Sequence, residues 1–392
     1  MFNARETPIV TYGMTSGFSS GDRAKIVLVG GGVGALETAL ALRALAGDRV
    51  NMSLVSTGSQ LTFRPGAAFE AFGHPAARYD LEAIAGDLGL EFRMARLEAV
   101  APQNRSVRLS SGARLEYDVL VLATGARATA SIPGALTFRD QRDVPALRRI
   151  LRELDAGHLT RLVFAVPSGI TWTLPLYELA LLSAARAALF ATGTEIVLVS
   201  PEHAPLEVFG AEASKRVEDV LADHGVTFLP ESSATSWNDG TLNIQGDAPI
   251  RAERVITVPQ LRVNRIAGIP ASWWGFVPTD TSGRIDGLED IYAAGDMTTY
   301  PIKQGGLATQ QADLIAGTIA ASLGAAVKEL RSTHVLRARL LGGDRPLLLR
   351  TELDSMGRPS NGTVEAAEAD GVADASKIFG RYLTPYLEGL AS

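Results

Sequence analysis

Three small residues, Gly30, Gly32 and Ala35, have the spacing of the motif G-x-G-x-x-A within KIVLVGGGVGALETALALRALAG. The first glycine allows a tight turn, and the second lets the backbone approach a diphosphate. The alanine lets the following helix pack closely on a sheet. That helix starts with Val33 and Gly34 and offers free N–H groups and a partial positive charge to phosphate. The pattern predicts a dinucleotide-binding turn.

The residue that ends the second strand, NMSLVS, is Ser56. In dinucleotide-binding folds an acidic residue usually takes this place and accepts hydrogen bonds from the ribose hydroxyls. A neutral hydroxyl can also bond to a ribose, but more weakly. We therefore include Ser56 among the cofactor-binding residues and expect a weaker ribose contact, with no effect on the diphosphate site.

The chain contains no cysteine, which excludes whole classes of chemistry. Disulfides, cysteine-ligated zinc, iron–sulfur clusters and dithiol redox reactions all need sulfur ligands or thiols. No metal-ligand spacing occurs among the five histidines, which are His74, His158, His203, His224 and His334. We therefore predict no metal site and no thiol chemistry.

Length and composition indicate a soluble protein of two or three domains. The chain has 392 residues, of which 46% are apolar and 20% charged, and its net charge is −6. No run of basic residues occurs, so nucleic acid is not expected as a partner. No apolar window is long enough to span a bilayer, and residues 1–22 lack the core of a signal peptide. We predict a flexible leader and a cytoplasmic location, with peripheral membrane contact left open.

Two strand–helix–strand units organise the chain. The first runs from Lys25 to Ser56, and the second runs from RLVFAVPSG at Arg161 to TEIVLVS, which ends at Ser200. Such alternation is typical of α/β folds with parallel sheets. We predict an α/β fold with two Rossmann-like domains and a C-terminal cap. The predicted parts are a discontinuous first domain (23–143 and 288–323), a second domain (144–287) and a cap or interface segment (324–392).

Three further segments follow the glycine turn in order: LATGA at Leu122–Ala126, YAAGD at Tyr292–Asp296 and KQGGLATQQAD at Lys303–Asp313. With them the sequence resembles the FAD-dependent pyridine nucleotide-disulfide oxidoreductases that have two dinucleotide-binding domains. Within that superfamily it is most similar to sulfide:quinone oxidoreductases and type II NADH:quinone dehydrogenases. The resemblance extends from Lys25 to about Leu323 and implies FAD as the cofactor.

The resemblance also implies roles for single residues. Ala123, Thr124 and Gly125 would pass beside the flavin nucleotide, and Asp296 would bond to the ribityl chain or a phosphate. We also include Leu97 among the cofactor-binding residues.

The loop LTFRPGAAFE resembles the family's loop beside the flavin ring. It places Phe63 in the substrate pocket and Arg64 and Pro65 near the cofactor. Arg64 either holds an anionic substrate or pairs with a carboxylate of the fold.

The segment KQGG precedes a predicted helix at Leu307–Leu323. Reduced flavin gathers negative charge, which a helix N-terminus aimed at the ring would stabilise. Gly305 and Gly306 would let the backbone approach the ring, and Lys303 or Gln304 would add a hydrogen-bond donor. The alternative for Lys303 is a solvated surface lysine.

The corresponding turn in the second unit, AVPSGITWTLPLYELA, keeps only Gly169. Proline stiffens a turn and removes a backbone donor, so tight NAD(P)H binding is doubtful here. Trp172, Pro175 and Tyr177 are candidates for the substrate pocket. Glu178 is a candidate for proton transfer to the ring; alternatively, it only favours the N-terminus of its helix.

These features together predict an FAD-dependent oxidoreductase. Hydride would come from a reduced small molecule, with NAD(P)H left open, and electrons would pass to a quinone-like acceptor or oxygen without cysteine chemistry. The alternatives are a flavin-binding sensor or docking protein without turnover, and a substrate oxidase that produces peroxide. The C-terminal segment KIFGRYLTPYLEGL either packs on the body of the protein, contacts a second subunit in a homodimer, or touches a membrane.

Overall fold

The computed structural model of the protein describes residues 23–62, 64–327, 333–342, 346–361, 367–368 and 377–391. The predicted leader and Phe63 lie outside these ranges. The described helices are α1 (Val33–Ala46), α2 (Arg64–Glu70), α3 (Leu81–Asp87), α4 (Val144–Asp155), α5 (Leu174–Leu189), α6 (Ala211–Asp223), α7 (Gly305–Ser322) and α8 (Leu383–Ala391). The described strands are β1 (Ala24–Val29), β2 (Val50–Ser56), β3 (Gln60–Thr62), β4 (Arg78–Asp80), β5 (Glu91–Met94), β6 (Leu97–Ala101), β7 (Ser106–Leu109), β8 (Arg114–Glu116), β9 (Val119–Leu122), β10 (Arg127–Thr129), β11 (Leu136–Thr137), β12 (Arg161–Ala165), β13 (Glu195–Val199), β14 (Val226–Leu229), β15 (Ala234–Asn238), β16 (Thr241–Ile244), β17 (Ile250–Arg251), β18 (Arg254–Thr257), β19 (Gln260–Arg262), β20 (Ile291–Ala293), β21 (His334–Leu340), β22 (Leu347–Leu353), β23 (Pro359–Asn361) and β24 (Ala367–Glu368).

The first domain is built on a five-stranded parallel sheet in the order β20-β9-β1-β2-β5. Every residue of β9, VLVL, is buried, as expected for a parallel strand that is covered on both faces. Helices α1 and α7 pack against each other beside this sheet. Because β20 and α7 follow the second domain in the chain, the first domain is discontinuous.

The second domain repeats this plan with a parallel sheet in the order β11-β18-β12-β13-β14. Its first strand, β11, lies before residue 143, the predicted end of the first part of the first domain. Helix α5 packs on β12 and β13. The two parallel sheets agree with the predicted α/β fold with two Rossmann-like domains.

The C-terminal segment contacts both domains. Strands β21 and β22 form an antiparallel hairpin, and buried and partly exposed residues alternate along β22. The hairpin packs on α5 and α7, while α8 packs on α1. Leu383 and Leu387 of α8 are fully buried in the core of the first domain. Pro385 is tolerated because it lies in the first turn of α8, where backbone N–H groups have no partner within the helix.

A buried carboxylate pair fastens α8 to the first domain. Glu37 of α1 is fully buried and accepts hydrogen bonds from the backbone N–H groups of Tyr382 at 2.9 Å and Leu383 at 2.7 Å. Asp313 of α7 lies beside Glu37. Burial, together with the adjacent Glu37, raises the pKa of Asp313 to about 8, and burial also raises the pKa of Glu37. The two carboxyl groups therefore favour a shared proton at neutral pH.

None of the helices in the described residues is long and apolar enough to cross a membrane.

Candidate cofactor and active site

The glycine turn between β1 and α1 has a separate steric requirement at each position. Gly30 has φ +140°, and a Cβ there would lie 2.1 Å from the carbonyl oxygen of Ala123. A Cβ on Gly31 would lie 2.4 Å from Oγ of Ser56. Around Gly32, by contrast, no atom lies within 4 Å of where a Cβ would be, and this residue lines a cavity. A side chain at Gly32 would therefore extend into space that a diphosphate needs.

The cavity has a volume of about 910 Å³ and lies at the carboxyl ends of the strands of both parallel sheets. In open α/β sheets this is where cofactors bind, and the volume lies in the range of ligand pockets. Most predicted site residues line it, namely Gly32, Val33, Gly34, Ser56, Ala123, Thr124, Gly125, Trp172, Pro175, Glu178, Asp296, Lys303, Gln304 and Gly305. Because of its shape at Gly32 and its size, the cavity fits a dinucleotide.

Among the residues that the structure describes, Gly30, Ala35, Leu97 and Gly306 are predicted site residues outside the cavity lining. Ala35 and Leu97 are buried in hydrophobic cores, and Gly30 packs against the backbone of Ala123. A Cβ on Gly306 would lie 2.5 Å from the carbonyl oxygen of Ile378, so this glycine makes room for the C-terminal segment. Close approach to a ring is therefore available at Gly305 rather than at Gly306.

The loop candidates Arg64 and Pro65 open helix α2. This helix reaches the cavity through Ala68, which forms part of the lining. The roles assigned to Arg64 and Pro65, and that of Phe63, stay predictions.

Lys303 is held inside the cavity wall and is not a solvated surface lysine. Its Nζ donates to the carbonyl oxygens of Thr298 at 2.5 Å and Tyr300 at 2.6 Å. It also lies 4.2 Å from the centre of the Phe276 ring. Burial lowers the pKa of Lys303 to about 8, against the opposing effect of Asp296. The side chain thus carries positive charge at neutral pH beside the start of α7.

The amide of Gln304 is the N-cap of α7. Its Oε1 accepts from the N–H of Leu307 at 2.9 Å, while its Nε2 donates to the carbonyl oxygen of Arg337 at 3.2 Å. The donor that we predicted for the ring is thus directed at the C-terminal hairpin. The N-terminus of α7 still faces the cavity through Gly305.

Glu178 forms a buried ion pair with Lys377 of the C-terminal segment. Its two oxygens lie 2.7 and 3.0 Å from Nζ of Lys377, and Oε1 also accepts from the N–H of Leu341 at 3.0 Å. Burial raises the pKa of Glu178, while Lys377 opposes this shift. Both side chains line the cavity. Lys377 is not among the predicted site residues, because neither its residue type nor its neighbours in the sequence indicate a role in the cavity.

Tyr177 points away from the cavity into a second buried cluster. Its hydroxyl donates to Glu202 at 2.7 Å, and Ser200 and Thr173 donate to the same carboxylate at 2.7 and 3.1 Å. Glu202 lies just beyond the end of β13, which is where the ribose-binding acid of a dinucleotide-binding unit stands. Glu202 is not among the predicted site residues, although its position after the strand TEIVLVS could have indicated it.

Comparison with known proteins identifies the family. The family described as pyridine nucleotide-disulphide oxidoreductase matches residues 24–312. The chain belongs to this family. The predicted superfamily is thereby confirmed, and so is FAD as the cofactor, which proteins of this family bind.

Two relatives agree with the narrower resemblance. The sulfide-quinone reductase of Aquifex aeolicus is 26% identical over 70% of this chain and 62% of its own length. An NADH dehydrogenase-like protein of Mycobacterium tuberculosis is 27% identical over 57% of this chain and 58% of its own length. The chain therefore spans about 60% of the length of these curated members of the family.

Solved structures agree with the fold. The sulfide:quinone oxidoreductase from the bacterium Aquifex aeolicus superposes with a TM-score of 0.77 at 19% identity, covering 94% of this chain and 90% of that one. A ferredoxin reductase from Rhodopseudomonas palustris superposes with a TM-score of 0.66 at 19% identity, covering 84% and 82%. At these identities the superpositions establish the two-domain architecture.

Proposed function

We propose that the protein is an FAD-dependent oxidoreductase that takes a hydride from a reduced small molecule and passes electrons to a quinone-like acceptor or to oxygen. The observation that carries the proposal is a single cavity that joins the glycine turn, the start of α7 and the second-domain residues Trp172 and Pro175. A dinucleotide held at Gly32 therefore shares this cavity with any substrate that reaches Trp172. When bound, FAD supplies a ring that accepts a hydride and releases electrons.

The chain's own contribution begins with electrostatics. The N-terminus of α7 and the ammonium group of Lys303 both bring positive charge to one part of the cavity wall. Preorganised charge of this kind stabilises negative charge that develops during a reaction, because it needs no reorganisation. We assign Lys303 this role. The hydrogen bonds to Thr298 and Tyr300 hold its Nζ in place.

A second contribution is proton transfer at the ion pair of Glu178 and Lys377. The 2.7 Å contact lets a proton that reaches the cavity at Lys377 pass to Glu178. The wall here contains no thiol, because the chain has no cysteine. We therefore propose that reduction proceeds without a cysteine intermediate.

The donor that we propose is not NAD(P)H. To bind NAD(P)H in the second domain, the carboxylate of Glu202 would have to accept hydrogen bonds from the ribose hydroxyls of the nucleotide. Tyr177, Ser200 and Thr173 already donate to this carboxylate. The turn before α5 also lacks the second and third small residues of a diphosphate cradle. Both features weaken a nucleotide site in this domain.

Anaerobic stopped-flow reduction of the purified yellow protein tests the proposal. We expect a small reduced metabolite or hydroquinone to bleach the flavin band rapidly, and NADH and NADPH to do so slowly or not at all. A flavin that stays oxidised with every donor would favour a binding protein without turnover. Stoichiometric peroxide under air, with no reaction with quinones, would favour a substrate oxidase.

Substitutions at two glycines test the site itself. We expect Gly32→Val to lose FAD, because its side chain would occupy the cavity. The matched control is Gly86→Val in α3, where a Cβ also meets no atom within 4 Å but the cavity is not involved. If Gly32→Val retained the same amount of FAD as Gly86→Val, the assigned site would be contradicted.

A further inference from the structure

Arg139 is a cation of the cavity wall whose side chain is held in a fixed position. It follows β11 in the second domain, and its side chain, which is 41% exposed, lines the cavity. Its Nε and Nη2 donate to the two carboxylate oxygens of Asp143 at 2.9 and 2.6 Å. Its backbone N–H donates to the same carboxylate at 2.9 Å. Asp143 is buried and is not part of the cavity lining. The guanidinium plane is therefore fixed by a carboxylate that lies outside the cavity.

These hydrogen bonds occupy one edge of the guanidinium group and leave another edge available. Asp143 takes the edge formed by Nε and Nη2. Arginine carries five N–H donors in a planar fork, so Nη1 and the second hydrogen of Nη2 form an outer edge. Within the residues that the structure describes, Nη1 of Arg139 has no hydrogen-bond acceptor. Such an edge matches the two oxygens of a carboxylate.

Two lysines of the same wall differ from Arg139, because each has a carboxylate close to it within the lining. Lys377 is paired with Glu178 at 2.7 Å. Burial lowers the pKa of Lys303, and Asp296 opposes this shift. The carboxylate that pairs with Arg139 lies outside the lining, so a ligand in the cavity can approach the outer edge of the guanidinium directly.

The same cavity also offers a flat apolar surface. Trp172 lines it and makes an edge contact with Phe209, with the ring centres 6.2 Å apart and the planes at 63°. The turn before Trp172 is fastened to the first domain, because Oγ1 of Thr171 donates to the carbonyl oxygen of Pro301 at 2.6 Å. Aromatic rings stack favourably on other aromatic rings. The cavity thus combines an edge that binds an anion with a surface that accepts a ring.

We infer that the cavity binds an aromatic carboxylic acid whose carboxylate pairs with the outer edge of Arg139. A carboxylate has two oxygens, and this edge can donate to both. A phosphate ester has a third acceptor oxygen, which the edge would leave without a donor. The inference therefore names a carboxylate rather than a phosphate as the anionic group.

In one respect the inference rests on the proposed function, since the acid would be the reduced small molecule that donates the hydride. A dihydroxybenzoate meets this requirement. It loses two electrons and one proton as the hydride, releases a second proton to water, and leaves as a quinone carboxylate. The flavin accepts the hydride, so the step needs no further oxidant.

Titration calorimetry of the oxidised, FAD-loaded protein with benzoate and benzamide tests the binding step without turnover. These two probes have nearly the same shape and differ in charge. We expect benzoate to bind more tightly than benzamide, and salt to reduce the difference. Arg139→Gln should weaken benzoate binding about tenfold, because a hydrogen bond between charged groups is lost, and should leave benzamide binding within about twofold.

Arg142 provides a matched control three positions further along the chain. Its Nε and Nη2 donate to Asp140 at 2.9 and 2.6 Å, as in the pair of Arg139, but it does not line the cavity. Arg142→Gln should therefore bind benzoate like the unmodified protein. Because Arg139→Gln also leaves Asp143 buried without its cation, a double variant separates folding from binding. Arg139→Gln, Asp143→Asn should resist urea better than Arg139→Gln alone, yet still bind benzoate about tenfold more weakly than the unmodified protein.

Three results of the calorimetry would overturn the inference. The first is equal affinity for benzoate and benzamide. The second is benzoate binding that Arg139→Gln and the double variant leave unchanged. The third is phenyl phosphate that binds more tightly than benzoate and depends on Arg139, which would make the ligand a phosphate ester.

Anaerobic reduction of the flavin by 2,5-dihydroxybenzoate and by hydroquinone separates this inference from the proposed function. We expect Arg139→Gln to raise the 2,5-dihydroxybenzoate concentration for half-maximal rate about tenfold, with the maximal rate within about twofold and hydroquinone unaffected. Reduction by hydroquinone in a protein that does not bind benzoate would refute only this inference. Benzoate binding that depends on Arg139, in a protein that no donor reduces, would refute the proposed function and retain the carboxylate site.

Discussion

The buried pair of Glu37 and Asp313 predicts that stability falls as pH rises towards 8. The folded protein keeps a proton on Asp313 up to a pKa of about 8, whereas the unfolded chain releases it near the ordinary value of 3.8. Between these two pH values the folded state binds more protons, so each rise in pH favours unfolding. Asp313→Asn removes the titration but keeps a hydrogen-bond donor for Glu37.

The size of the effect follows from proton linkage. One proton difference changes the free energy of unfolding by at most about 1.4 kcal/mol per pH unit. From pH 5 to pH 8 the unmodified protein should therefore lose up to about 4 kcal/mol that Asp313→Asn retains. Because Glu37 accepts the N–H groups of Tyr382 and Leu383, the loss should appear first at α8.

Urea unfolding at pH 5, 6, 7 and 8, followed by far-UV circular dichroism, measures this difference. The two proteins differ only at residue 313, so the contributions that they share cancel when Asp313→Asn is compared with the unmodified chain. Asp247→Asn, at an exposed position in the second domain, is the matched control and should follow the unmodified protein. Equal pH dependence in all three proteins would refute the shared proton.

Three further predictions concern the cavity. Asp296→Ala should weaken FAD retention on dialysis, because a polar group of the lining is lost; full flavin occupancy would count against the assignment. Lys377→Met leaves Glu178 buried without its cation and should lower the free energy of unfolding, measured in urea, by about 3–5 kcal/mol. The double variant Lys377→Met, Glu178→Gln should regain most of this loss. Glu178→Gln alone should retain FAD but slow flavin reduction or reoxidation in stopped-flow; unchanged rates would leave Glu178 a structural role.

Local sequence patterns predicted the parts of the site that depend on the backbone. The spacing of Gly30, Gly32 and Ala35 predicts a tight turn, because only small residues fit at these positions. The structure places Gly32 at the cavity. The strands that end in glycine or in Ala-Thr-Gly could also be predicted, because parallel strands are buried on both faces and appear in the sequence as continuous apolar runs. The carboxyl ends of these strands therefore located the cavity correctly.

The contacts of single side chains depend on chain segments far apart in sequence and could not be predicted. Lys377 lies 199 positions from Glu178, and neither residue type nor spacing joins them. The two glycines that start α7 looked equivalent, yet Gly306 accommodates Ile378 while Gly305 faces the cavity. Tyr177 looked like a pocket residue because its neighbours are, but the turn of α5 directs it to Glu202.

The wall around the cavity also has a consequence for synthesis of the protein. Residues 31–34 and the strands around them emerge from the ribosome early, whereas Lys377 and Ile378, which complete the wall, are translated more than 300 positions later. A nascent chain can therefore expose its nucleotide cradle long before that cradle is enclosed. Cofactor that enters during translation meets a cleft without this part of its wall, and cofactor that enters afterwards must pass the C-terminal segment that supplies it.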